Sequence, residues 1–157
     1  MRARRPPFLD ELAEHAGRHP RVLAWGQGGE WAVCLPDRFA YTRSGAWASV
    51  PWDEIDHGGW DQDSGVLSWT GPDGAAHEVA LSEPGDVPDV FRELVAASIL
   101  VQRTVTWDGG SAVLALRRNP ADTGPARWRV LPAPGSDPDA PPVRRALAQA
   151  RAEWDID

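Results

Sequence analysis

Lysine is absent from this chain, and all sixteen basic residues are arginine. A P-loop needs its lysine, and a Schiff-base or PLP enzyme needs an amine nucleophile, so both classes are excluded. A GC-rich genome accounts for the bias, since Arg, Ala, Gly and Pro are all abundant. Cysteine is nearly absent as well. A lone Cys34 can form neither an internal disulfide nor a cysteine-based zinc site. No apolar run approaches the ~20 residues that span a bilayer. The start, MRARRPPFLDELAEH, is basic but lacks an apolar h-region, so no signal peptide is expected and the expected compartment is the cytoplasm. Positive charge is in deficit. Sixteen basic residues face 23 acidic ones, for a net charge of −7 and a pI near 5.0. Nucleic acid is therefore not an expected partner, an anionic lipid surface would repel the chain for the same reason, and without a spanning apolar run no membrane insertion is expected.

What remains is 157 residues, enough for one domain or a small domain with an appendage. Nine Trp stand against three Phe and one Tyr. Residues 1–20 read as a tail, carrying Arg2, Arg4 and Arg5, followed by a short helix. Leu9, Leu12, Ala13 and Ala16 fall at i, i+3, i+4 and i+7, and Gly17 is placed to stop the helix. From residue 21 the period becomes two. Strands are expected at 21–26, 30–35, 38–42, 46–50, 55–60, 65–70 and 76–81. Turn chemistry separates them, including Pro36-Asp37, Ser44-Gly45, Asp63-Ser64-Gly65 and Pro72-Asp73-Gly74. Seven short antiparallel strands imply a meander that curls into a sandwich or barrel.

The period then returns to that of a helix over 87–102. Asp86 suits the N-cap, and Val87, Val90, Phe91, Leu94, Ala97, Ile99 and Val101 form a wide apolar face suited to covering or plugging the sheet. Strands follow at 104–107, 111–118 and 126–131, the first two flanking the hairpin signal Asp108-Gly109-Gly110. Five prolines make 132–142 an extended loop. A last helix at 143–154 carries the narrow stripe Val143, Leu147, Ala150, Trp154, which is suited to packing on a partner chain.

Candidate chemistry is sparse. Cys34 sits in an apolar strand and reads as a core residue, because nothing nearby stabilises a thiolate. His15 and His19 are four apart, yet Gly17 and Pro20 end the helix between and after them, so no metal site is expected. His57 and His77 are single strand residues without a partner motif. Asp53, Glu54, Asp56, Asp61 and Asp63 surround Trp60 but miss the spacing of a calcium loop. Arg117, Arg118, Arg127 and Arg129 gather on one patch if their strands pair; edge protection by charge is the simpler account of them. Trp52 and Trp60 flank polar residues and are candidates to line a groove or interface. No catalytic set and no cofactor is expected.

Seven strands followed by one amphipathic helix is the element order of a pleckstrin-homology (PH) barrel. Val50-Pro51-Trp52-Asp53-Glu54-Ile55 resembles the hydrophobic-Pro-aromatic-x-x-Ile step of bacterial PH-like domains. Residues 35–42, with Phe39 and Tyr41, resemble their second hairpin. The chain also resembles small actinobacterial proteins that share Val-Leu-Ala-Trp (22–25), Pro-Trp-x-x-Ile (51–55), Ala-Ser-Ile-Leu-Val-Gln-Arg (97–103) and Arg-Ala-Glu (151–153). That second resemblance implies no function. The first implies an α+β, mainly β fold: a seven-stranded half-open barrel capped by a helix at 21–103, then a β-hairpin, a third strand and a C-terminal helix at 104–157. The loop matching the phosphoinositide-binding hairpin of eukaryotic relatives, 26–30, has no basic residue. The expected function is thus a non-enzymatic interaction or scaffold module, with a protein partner or a second copy of the chain. One alternative is a small-ligand binder or enzyme using the barrel mouth, with His57, His77 and the acidic run as polar groups. The other is nucleic-acid binding through the arginines.

Overall fold

The computed structural model describes residues 7–17, 20–122 and 124–154. They divide into two compact units, Met1–Val95 and Ala96–Asp157.

The first unit opens with α1 (Leu9–Ala16), which Gly17 ends in a left-handed conformation at φ +74°. Seven strands follow: β1 (Ala24–Gln27), β2 (Trp31–Cys34), β3 (Arg38–Arg43), β4 (Ala46–Pro51), β5 (His57–Asp61), β6 (Val66–Thr70) and β7 (Ala76–Ala80). All seven expected strands form, with ends moved by at most three residues. Ser44 and Gly45 both take positive φ, 52° and 80°, the mirror-image turn that matches strand twist in a two-residue hairpin. The strands make two antiparallel sheets, ordered β1-β2-β3-β4 and β5-β6-β7. A 3-10 turn, Trp52–Glu54, carries the chain from one sheet to the other.

The sheets do not close into a barrel by strand pairing between β4 and β5. They meet instead at the far end, where Gln27 and Glu83 exchange backbone hydrogen bonds of 2.9 and 2.8 Å. The Gln27 amide also donates to the Glu83 carboxylate at 2.8 Å. Together the sheets enclose one core. Ala32, Cys34, Phe39 and Tyr41 come from the first sheet, and Leu67, Trp69 and Val79 from the second. Val87 and Phe91 enter the same core from α2 (Val87–Ala97). A separate cluster lies on the other face of the first sheet. There Phe8 and Leu12 of the α1 segment cover Val33, Leu35 and Ala40, with Val22, Trp25, Trp31 and Trp47 packed around them.

The helix expected over 87–102 is shorter, and this is a correction. It ends at Ala97, and Ile99 begins β8 (Ile99–Trp107). Ile99, Val101, Thr104, Val105 and Thr106 are β-branched, and exposure along β8 alternates strictly. A bulge between Ile99 and Val101 leaves Leu100 half exposed. Helix-like spacing had carried the period of α2 into residues that pair as strand.

The second unit holds β8, β9 (Gly110–Arg117), β10 (Arg127–Pro132) and α3 (Pro141–Trp154). Its antiparallel sheet is ordered β10-β9-β8. Val143 of α3, with Ala146 and Leu147, packs against Ala112, Leu114, Val105, Trp107, Trp128 and Val130. Val143 and Ala150 are fully buried. The stripe expected to face a partner chain is therefore used inside its own unit, and Trp154 alone of its four residues stays exposed. Arg103 on β8 forms an ion pair with Glu153 near the end of α3, and the guanidinium holds that carboxyl below its usual range.

Candidate functional site

A barrel mouth is where a small ligand would enter, so the space between the two sheets decides what it can hold. Phe91 occupies it. Its ring lies 5.1 Å from Phe39 and 5.5 Å from Trp52, both edge-on, and 6.3 Å from Trp69. Phe39 in turn meets Trp69 edge-on at 5.1 Å. These contacts leave large rings where a substrate would sit.

Trp52, expected as a groove or interface residue, belongs to this packing. It is fully buried, and its indole N–H donates to the Leu35 carbonyl at 2.8 Å. The 3-10 turn swings it inward past its polar neighbours Asp53 and Glu54. Trp52→Phe keeps a ring but orphans that carbonyl, so it costs about 1–3 kcal/mol. Thermal denaturation of the two proteins measures this. Trp60 is half-buried and packs on the same core, in the row Trp60–Leu67–Val79.

The two histidines do not meet. Gly58, Trp69 and His77 form one cross-strand row, and His57, Thr70 and Ala76 form the next. Adjacent rows face opposite sides of a sheet. His77 therefore points with Trp69, on which it stacks at 5.6 Å and 17°, and its Nδ1 is shielded from solvent without a hydrogen-bond partner. His57 is exposed on the opposite face. In the acidic run, Asp61 accepts backbone N–H bonds from Asp63 and Ser64, a turn-forming role. No group of three potential metal ligands occurs among the described residues. His15 lies 3.2 Å from the Ser49 hydroxyl, while His19 is outside the described residues.

Cys34 is fully buried, with the Val87 carbonyl 3.9 Å from its sulfur, and burial pushes its thiol far up. The native protein keeps this proton where an unfolded thiol, at about 8.5, gives it up. The unfolded state thus binds fewer protons above that pH, and stability falls as pH rises through it. A thiol reagent at pH 8 is expected to label Cys34 no faster than the chain opens, as a labelling time course in rising urea would show.

The four arginines do not share one exposed patch. Arg117 is 1% exposed, with Nε donating to the Ser98 hydroxyl at 3.0 Å. Arg118 lies beyond the end of β9 and pairs with Asp122. Arg127 is exposed opposite Arg117 across the strands, and Arg129 is half-buried.

The sequence reading missed a cleft of about 370 Å³ on the exposed face of β5-β6-β7. His57, Ser68, Trp69, Thr70 and Ala76 line it, with Gly58 and Gly59 forming its β5 side. Small residues make it. A Cβ at Gly59 would meet nothing within 4 Å, and Ser68 lies directly across from Gly59. Gly58 has a different reason to be glycine, since a Cβ there would come within 2.5 Å of the Phe91 ring. The signal was present as two adjacent glycines inside a strand, which mark close approach of another group. The cleft offers the His57 imidazole and the Ser68 hydroxyl. The Thr70 hydroxyl is shielded from solvent and unpartnered. Such a surface can hydrogen-bond a neutral polar group laid flat on the sheet, but it contains no activated nucleophile.

No protein-family model, curated protein or solved structure matches the chain. Function must then be argued from these residues, because a fold alone does not imply one.

Proposed function

We propose that the chain is a PH-like, non-enzymatic interaction module that recognises its partner on the exposed face of β5-β6-β7. The observation that carries this reading is the Phe91 plug. A capping helix that fills the space between two sheets leaves recognition to the outside of the fold. The PH-like assignment is supported by seven strands in two antiparallel sheets followed by one helix, and by the inward-turned Trp52 of the Pro-Trp-x-x-Ile step. The cleft beside β5 supplies an apolar floor with the exposed His57 imidazole and Ser68 hydroxyl, and no side chain at Gly59 keeps a partner away. A protein segment lying flat on the sheet suits it better than a charged ligand, since its lining carries no permanent charge.

The test fills the cleft. Ser68→Trp places a large ring on an exposed position without touching the core. Matched captures with the tagged wild type and this variant should lose the specific partner in the variant, while circular dichroism spectra coincide. A partner retained equally by both proteins contradicts the reading.

A further inference from the structure

The sheet of the second unit has two edges, and they are built differently. β10 carries Arg127 and Arg129 and ends on Pro132, which has no N–H to offer a neighbour. Charge and proline are common means of blunting an edge. β8 has neither at its edge-facing positions, which the central strand β9 identifies. The Ala133 N–H donates to the Ser111 carbonyl at 2.9 Å, and the Ser111 N–H donates to the Ser136 hydroxyl at 3.0 Å. Both backbone groups of Ser111 thus turn to the β10 side, and its pairing with Thr106 is of the kind without hydrogen bonds. The two kinds alternate along an antiparallel ladder, so Thr104–Val113 and Gln102–Ala115 are of that kind too. The N–H and C=O groups of Gln102, Thr104 and Thr106 therefore point away from β9. All three residues are exposed, and no described residue bonds these groups. The one charge on β8, Arg103, is already paired with Glu153. Apolar surface gathers at the same strand. Leu100 on β8 is 51% exposed, and Trp154, 45% exposed, follows the Glu153 that Arg103 holds.

We propose that β8 pairs with the β8 of a second copy, antiparallel about a two-fold axis at Thr104. This is independent of the cleft on β5-β6-β7. The occupant follows from the register. The three edge-facing residues stand two apart, so they match themselves when the strand is reversed. Gln102 then meets Thr106 of the second copy, Thr104 meets Thr104, and Thr106 meets Gln102, each pair exchanging two backbone bonds. Sliding the second copy by two residues in either direction keeps only two of these pairs, and one of those registers sets Arg103 against Arg103. In the centred register Arg103 faces Val105 of the second copy. No like charges stand opposite each other, and each guanidinium brings its own Glu153 carboxylate. Thr104 against Thr104 is a favourable cross-strand pair. The assembly also closes. Pairing uses up both β8 edges and leaves a six-stranded sheet that ends on the blunted β10 edges, a two-fold dimer rather than a fibre.

The experiment compares wild type, Thr104→Lys and Thr104→Val by light scattering at rising concentration, up to roughly 1 mM. Wild type and Thr104→Val should reach twice the 17.1 kDa of one chain. Thr104→Lys should stay at that single mass, because it sets like charges opposite each other across the axis. The position is exposed and its backbone groups take no part in the ladder with β9, so the three circular dichroism spectra should coincide. Hydrogen exchange locates the contact: the amides of Gln102, Thr104 and Thr106 should be protected in the wild-type dimer and exchange freely in Thr104→Lys. Cysteines fix the register. Thr104→Cys should oxidise to a covalent dimer, since directly paired Cα atoms lie ~5.5 Å apart, within disulfide reach. Gln102→Cys should cross-link only when mixed with Thr106→Cys. A wild type that stays monomeric, which would leave this edge to the strand of another protein, overturns the proposal. So does a dimer that survives Thr104→Lys, or one whose three edge amides exchange freely.

Discussion

Phe91→Ala is expected to lower the unfolding free energy by about 3–5 kcal/mol, the range for removing a buried phenylalanine. The effect should sit at the upper end because the site cannot collapse easily. Phe39, Trp52 and Trp69 touch the ring from different sides, and each is held by its own strand or turn. Trp52 is further fixed by its bond to the Leu35 carbonyl, and Trp69 by its stack with His77. The truncated protein keeps its sheets around an open space lined by rings. It should bind a small apolar probe such as benzene, as dry cavities of this kind do. Urea unfolding gives the energy, and a benzene-induced rise in melting temperature, absent in the wild type, identifies the cavity. A loss below about 1 kcal/mol would mean that α2 does not plug the sheets.

Gly28→Ala is expected to be nearly as damaging, for a reason that involves no side chain in the wild type. A Cβ at this position would lie 2.3 Å from the Ala80 carbonyl oxygen and 2.9 Å from the Ser82 nitrogen. Both are backbone atoms, so no rotamer change relieves the clash. The chain must separate where β1 meets the segment after β7, and the Gln27–Glu83 pair of backbone bonds goes with it. Overpacking of this sort costs typically 1–3 kcal/mol, and an immovable backbone puts Gly28 near about 3 kcal/mol. Hydrogen exchange distinguishes this loss from a general one. The amides of Gln27 and Glu83 should lose protection first, while those of β2 and β3 keep theirs. Gly59→Ala is the contrast, since its Cβ enters open space.

The contrast between these glycines shows what the sequence does and does not reveal. Alternating apolar residues and turn chemistry were enough to find seven strands in order, because a strand buried on one face must alternate. The closing of the first sheet onto the segment after β7 was not legible. It depends on residues some fifty positions apart, and Gly28 reads locally as one more turn glycine. Trp52 was misread for a related reason. Its neighbours in the chain are Asp53 and Glu54, but its neighbours in space are Phe39 and Phe91. Arg117 was expected to join a patch with Arg118, Arg127 and Arg129 if their strands paired, yet it is buried, and the hydroxyl of Ser98 accepts from its guanidinium. Local pattern also hid the purpose of α1. Its apolar spacing marks a helix, but nothing in that spacing says that Trp25, Trp31 and Trp47 are waiting for Phe8. That cage accounts for three of the nine tryptophans, on the face of the first sheet that Trp31 shares with Val33 and Leu35.

The cleft on β5-β6-β7 and the filled interior make one claim together: this fold meets its partner outside. Fragment screening by nuclear magnetic resonance on the isotope-labelled chain tests it most directly. Small polar and apolar fragments should shift the amides of His57, Gly59, Ser68 and Thr70, and leave those of Phe39, Trp52 and Phe91 unmoved. Shifts gathered on Phe39, Trp52 and Phe91, with the cleft residues silent, would place the ligand between the sheets and contradict the account.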